Sequence, residues 1–175
     1  DIGCPDGTTI IVRNLFYNTP ARRKFLKTAA TEAAYINDLA GRLALSHPDV
    51  SFKFINNNQN RLHTSGNGNL RDIIYQIYGR DVAGQLLEVD TQGRLCHVTG
   101  FIGKPILSRG NRTWENYFIN GRYIKSNIIT KAIEDAYKTF VMIHKYPFTA
   151  FHIEVDPVLI DVNVHPRKME LRFNQ

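Results

Sequence analysis

The alternation of apolar and polar positions is sharpest near the end of the chain. In "FHIEVD" (151–156), Phe151, Ile153 and Val155 alternate with His152, Glu154 and Asp156. Further on, Ile160, Val162 and Val164 alternate with Asp161 and Asn163, and Met169, Leu171 and Phe173 alternate with Glu170 and Arg172. Successive side chains of a strand point to opposite faces, so each run predicts a strand with one packed and one wet face. His165-Pro166-Arg167-Lys168 separates the last two runs. Pro166 fixes φ and lacks an N–H, so it stops a strand and stiffens the turn.

The same reading predicts the earlier elements. The β-branched stretch "GTTIIVRNLF" (7–16) predicts a strand. Thr19 and Pro20 suit the cap and first position of a helix, and Ile36, Leu39, Ala40 and Leu43 recur at helical spacing up to His47-Pro48. "VSFKFI" (50–55) and "RLHTS" (61–65) flank "NNNQN", which predicts a hairpin. "NLRDIIYQIYG" (69–79) predicts a helix stopped by Gly79. "QLLEVD" and "RLCHVTGFI" predict two strands joined by Thr91-Gln92-Gly93, and "WENYFIN" (114–120) predicts another after the polar loop 103–113. Ser126 suits the cap of a helix running to about Phe140. Its face Ile129, Ile133, Ala136, Tyr137 and Phe140 is apolar, and the pairs Lys131–Asp135 and Glu134–Lys138 stand four apart on the other. Strands and helices are interspersed, so the expected architecture is α/β of the α+β type, one mixed sheet with helices packed on one face.

Composition narrows the function classes. The 175 residues are 43% hydrophobic, enough for one moderate core and a short appendage. The formal charge of +6 suits a polyanionic partner. Cys4 and Cys96 are far apart and form no CxxC pair, so neither a zinc site nor a disulfide framework is expected. No apolar run approaches the roughly 18 residues of a membrane span. The absence of a starting methionine leads us to expect a segment of a longer cytoplasmic protein.

Three stretches can carry chemistry. In the 165–168 turn, a stiff backbone holds Lys168 as an ammonium at a defined place, which suits a terminal phosphate; the plainer reading is a solvated basic turn. His165 has no second ligand at metal spacing and reads as structural. "PARRKFLK" (20–27) packs Arg22, Arg23, Lys24 and Lys27 into six residues. Such a run is a solvated helix face or a set of phosphate contacts, which need charge density more than exact geometry. "FINGRYIKSN" (118–127) places Arg122 and Lys125 between a tight Asn120-Gly121 turn and a helix start, whose free amides favour anions. "GNGNL" (66–70) lacks a following Gly-Lys-Ser/Thr and is no phosphate loop. No GxSxG, HExxH or paired-carboxylate arrangement is present. The residues alone describe a basic α/β domain without a self-contained active site.

"GTTIIVRNLFYNTPARRKFLK" (7–27), "FINGRYIKSNIITKAI" (118–133) and "IDVNVHPRKMELRF" (160–173) together, in this order, closely resemble the MutL family of DNA mismatch-repair proteins. The resemblance implies that residues 1–27 end an ATP-binding module and that 28–175 form a transducer domain like domain 2 of ribosomal protein S5, with a left-handed crossover. In the wider superfamily of gyrase B and the Hsp90 chaperones, a lysine of this domain reaches the γ-phosphate. Lys168 matches that lysine, and Thr8 of Gly7-Thr8 matches a threonine that binds the adenine.

The family's other ATP and Mg²⁺ motifs do not appear in these residues. The resemblance therefore implies a segment that binds no nucleotide and hydrolyses none by itself, within a parent ATPase using ATP and Mg²⁺. It also implies backbone contacts to DNA with little sequence preference, through Arg22, Arg23, Lys24, Lys27, Arg122 and Lys125. Where some members carry a further arginine at the next helix, this chain has Asn127. The implied partners are the upstream module, a MutS-type mismatch-recognition protein and a second copy of the parent. The expected location is the cytoplasm and nucleoid in a bacterium, or the nucleus in a eukaryote. The alternative is a stand-alone S5-like nucleic-acid-binding module without nucleotide coupling.

Overall fold

The computed structural model describes residues 6–161 and 172–173. The chain divides into two compact units, Asp1–Tyr35 and Ile36–Gln175.

The described part of the first unit contains α1 (Pro20–Arg23) and the start of α2 (Ala29–Ser46). Pro20 opens α1 as expected, although the Thr19 side chain makes no capping hydrogen bond. The α2 entry is tied down reciprocally. The Thr31 amide donates to Thr28 Oγ1 at 3.3 Å, and the Lys27 amide donates to Glu32 Oε1 at 2.7 Å. The strand expected over 7–16 is not formed. Residues 7–13 are irregular, and Ile10, Ile11 and Val12 are exposed. A β-branched run becomes a strand only through packing against a neighbouring strand, and the described residues of this unit supply none.

In the second unit, β1 (Lys53–Asn56) and β2 (Gln59–His63) form the expected hairpin. Its turn residues Asn57 and Asn58 have φ of 49° and 58°, a conformation that asparagine tolerates well. The helix α3 (Leu70–Tyr78) is capped by Asn69, whose side chain accepts from the Arg71 and Asp72 amides, and ends at Gly79 with φ 87°. A short α4 (Arg80–Ala83) follows. The main sheet comprises β3 (Leu86–Gln92), β4 (Cys96–Gly103), β5 (Glu115–Ile119), β6 (Arg122–Tyr123) and β7 (Thr149–Val155) in the order β3-β4-β7-β5-β6. All neighbours are antiparallel except β5 and β7, which are parallel, and the crossover between them carries α5 (Asn127–Tyr137). Beyond β7, β8 (Ile160–Asp161) pairs antiparallel with β9 (Arg172–Phe173), as the two alternating runs predict. The turn 165–168 lies outside the described residues.

The mixed sheet with packed helices is as expected, but the helices lie on both faces. On one face Phe118, Phe148 and Ala150 pack with Ala44 and Leu45 of α2 and Ile73 and Ile74 of α3. On the other, Tyr117, Ile119, Phe151 and Ile153 pack with Ile129 and Ile133 of α5. The pattern misleads at β7 because His152, read as wet, is half-buried and hydrogen-bonds the Leu45 carbonyl at the end of α2, 2.9 Å away. Burial pushes its pKa down. Smaller differences follow from pairing: Thr91 and Gln92 belong to β3, and α5 stops at Tyr137, leaving Phe140 exposed. The ion pairs of α5 are Arg112–Glu134 and Asp135–Lys138 in place of those expected from i,i+4 spacing.

Candidate nucleic-acid interface

The second unit presents cations from a rigid support. At the end of β5 the chain turns through Asn120 (φ 47°) and Gly121 (φ 76°) into β6. Asn120 fastens this turn to the end of β7. Its Nδ2 donates to the Val155 carbonyl at 2.9 Å, its Oδ1 accepts from the Val155 amide at 3.0 Å, and its own amide donates to the Ile153 carbonyl at 3.0 Å. Arg122 follows on β6 with its side chain exposed. Lys125 is also exposed, between the buried Ile124 and the buried Ser126.

Ser126 caps α5 by accepting from the Ile129 amide, and the Tyr117 hydroxyl accepts from the Ser126 amide at 2.7 Å. A backbone pinned on both sides of Lys125 holds an ammonium beside a helix N-terminus, where free amides and the helix dipole favour anions.

Beside this turn lies a cleft of about 570 Å³ between α5 and the start of β5. Lys125 and Lys131 line it, with Arg42 from α2 and Arg112 from the loop before β5. Glu115 lines it too and is only 7% exposed. Desolvation by burial, reinforced by the nearby Glu134 charge, pushes its pKa up to about 7, against a smaller opposing effect of Arg112.

The first unit carries the other predicted cations. Arg22 and Arg23 end α1, Lys24 is its C-cap, and these three and Lys27 are exposed. Thr8 is exposed in the irregular segment. Lys168 lies outside the described residues. Sequence reasoning missed Arg42, Arg112 and Glu115, and read Lys131 only as an ion-pair partner. A detectable signal for Lys131 was its place with Asn127, Thr130 and Glu134 on one helical stripe; Arg42 comes from a distant element and leaves no local pattern. No group of three or more His, Cys, Asp or Glu side chains among the described residues is placed to hold a metal ion. Among them, no helix is long and apolar enough to cross a membrane.

A family model described as DNA mismatch repair protein, C-terminal domain, matches residues 74–175, more than half of the chain. A protein of Agathobacter rectalis named DNA mismatch repair protein MutL is 65% identical over 174 residues. The chain belongs to the MutL family of DNA mismatch-repair proteins. A MutL of Desulforamulus reducens is 46% identical over 98% of the chain. The chain spans 27% of the length of each of these two relatives.

Solved structures share the fold. The N-terminal domain of a DNA repair protein matches 91% of this chain and 53% of its own, with a TM-score of 0.74 and 24% identity. The ATPase domain of the mismatch repair endonuclease MutL of Aquifex aeolicus matches 89% and 55%, with a TM-score of 0.60 and 23% identity. The mixed sheet is thus consistent with an S5 domain 2-like fold.

Proposed function

We propose that this chain is the transducer segment of a MutL-type mismatch-repair ATPase, coupling ATP binding elsewhere in the parent to conformational change and DNA binding. The observation that best supports the DNA half of this reading is the fastened Asn120-Gly121 turn. It offers Arg122 and Lys125 beside the α5 N-terminus, where they can meet successive phosphates without reading bases. Arg22, Arg23, Lys24 and Lys27 of the first unit are phosphate contacts of their own in the same reading.

The ATP half rests on the family. Thr8 lies on an irregular exposed segment, and its contact to the adenine is proposed only for the ATP site of the parent. ATP and Mg²⁺ belong to the parent in this reading, as do a MutS-type partner and self-association. The relatives named above are bacterial, which suits a cytoplasmic, nucleoid-associated parent.

Duplex binding should weaken steeply with salt, each phosphate contact contributing about 0.9 to the slope of log K against log salt. Arg122→Glu combined with Lys125→Glu should lower both affinity and slope in a fluorescence titration across salt concentrations. Unchanged binding would place the DNA elsewhere on the surface.

A further inference from the structure

β3 stands at one end of the main sheet, and among the described residues only β4 pairs with it. Their register runs without a shift from Leu86↔Gly103 to Gln92↔His97. Two bonds just beyond its ends fix the phase of the ladder. The Lys104 amide donates to the Gln85 carbonyl at 2.8 Å, and the Gly93 amide donates to the Cys96 carbonyl at 2.8 Å. Bonded and non-bonded pairs alternate along an antiparallel ladder, so Leu87, Val89 and Thr91 bond inward to β4. The amides and carbonyls of Glu88, Asp90 and Gln92 point outward and meet no other strand among the described residues. Such an edge is a template for a further strand, and no proline, lysine or bulge interrupts this one.

The two sides of β3 differ in chemistry. Residues opposite one another in a ladder share a face, so Leu87 lies on the face of Ile102 and Thr91 on that of Val98. On this side Val98 and Ile102 line an apolar cleft of about 570 Å³ with Leu95, Ile128 and Ala132, and Leu87 is 49% exposed. On the other side, Glu88 and Asp90 are exposed and line a cleft of about 530 Å³ beside the Asn69 start of α3. Asp90 pairs with His97 at 2.7 Å, whereas Glu88 makes no ion pair among the described residues.

We propose that the outer edge of β3 is a docking site for an extended segment of a partner protein, added to the five-stranded sheet as a further strand, in which basic side chains alternate with apolar ones. The basic side chains lie on the face of Glu88 and Asp90, and the apolar ones on the face of Leu87 and Val89. The main chain of the segment satisfies the outward groups of Glu88, Asp90 and Gln92. The carboxylates select the occupant. A second copy paired antiparallel about Val89, the middle of the strand, would set Glu88 against Asp90, like charge on like. Nucleic-acid phosphates are repelled for the same reason. The chain as a whole carries +6, so a basic segment gains nothing from net charge and depends on this edge.

The test uses this chain with labelled peptides of seven residues, the length of β3. One alternates lysine with valine. A second has the same composition with its lysines gathered at one end, and a third alternates glutamate with valine. Anisotropy reads affinity, and hydrogen exchange followed by amide NMR reads location. The alternating lysine peptide should bind on the order of tenfold more tightly than the other two. The amides of Glu88, Asp90 and Gln92 should gain protection, which loose ionic attraction does not confer.

Glu88→Lys should weaken the lysine peptide on the order of tenfold, because an opposite-charge pair becomes a like-charge one. Glu88→Pro removes an outward donor and no bond to β4, a place where sheets tolerate proline, and should abolish binding. Glu88 is exposed, so the lysine variant still decides the matter if the proline variant unfolds. No binding of the alternating lysine peptide, equal affinity for both lysine peptides, or binding without new protection at 88, 90 and 92 would overturn the proposal. So would protection of these amides that rises with chain concentration alone, the mark of a second copy. Their protection in the full-length parent without peptide would assign the edge to the parent's own residues and overturn it too.

Discussion

Glu115 ties stability to pH. Its pKa rises from about 4.5 to about 7 on folding. Below the lower value both states are protonated and the fold carries no penalty. As pH rises from about 4.5 to 7, the unfolded chain releases the proton while the folded chain keeps it, so stability falls. Above about pH 7 the penalty is complete, up to roughly 3 kcal/mol and less where water in the cleft screens the charge. Glu115→Gln should therefore be more stable than the wild type in urea unfolding at pH 8 and close to it at pH 4. An equal gain at both pH values would assign the effect to shape instead of charge.

Gly100 makes a different demand. It lies in β4 between β3 and β7 with φ of +124°, and an added Cβ would fall 2.0 Å from the Ala150 carbonyl oxygen. Strands on both sides leave the backbone little room to retreat. Gly100→Ala should cost about 3 kcal/mol or more, or prevent folding, as read by a urea midpoint or by loss of soluble protein.

At the scale of elements, the Asn120-Gly121 turn joins fold to site. Asn120→Ala removes two hydrogen bonds to Val155 and places alanine at positive φ. It should destabilise by about 1–3 kcal/mol. Asn120→Gly keeps the φ tolerance, so it separates the lost bonds from the backbone strain when the two variants are melted side by side. The turn, the Ser126 cap and the Gly79 stop were all legible in the sequence, because each depends on local residues and fixed offsets. The strand expected over 7–16 was not, because strand formation depends on a neighbour no local pattern contains. The helical cover on both faces was hidden by His152, a polar residue whose partner is a helix-end carbonyl from a distant part of the chain. The cleft was hidden for the same reason: Arg42, Glu115 and Lys131 come from three elements that only the fold assembles.

At the scale of the whole protein, the question is how a nucleotide signal could reach the basic turn. In the described fold Val155 ends β7, Asn120 grips its backbone, and β8 begins at Ile160, five residues further along the chain. The segment that contains Lys168 thus follows closely on the strand whose end anchors Arg122 and Lys125. A displacement of that segment would have a short route of backbone and hydrogen bonds to Arg122 and Lys125, the cations proposed to meet DNA, which is the physical requirement for coupling between two sites. The decisive residue is Lys168, tested in the full-length parent. Lys168→Ala should leave folding nearly intact, within about ±0.5 kcal/mol as for most surface substitutions, because the sequence places it in a polar turn. ATP turnover should fall on the order of 10²-fold if the ammonium stabilises charge that shifts in the transition state. Separate measurement of kcat and KM distinguishes this from ground-state binding, which would raise KM alone. Lys168→Arg should restore only part of the rate, since a planar fork does not replace a compact ammonium. Arg167→Ala is the internal control and should turn over ATP near the parental rate. Normal hydrolysis by Lys168→Ala alongside a defect in Arg167→Ala would assign the role to the other cation. Normal hydrolysis by both would detach the turn from nucleotide and leave the basic surface of the second unit as a nucleic-acid module in its own right.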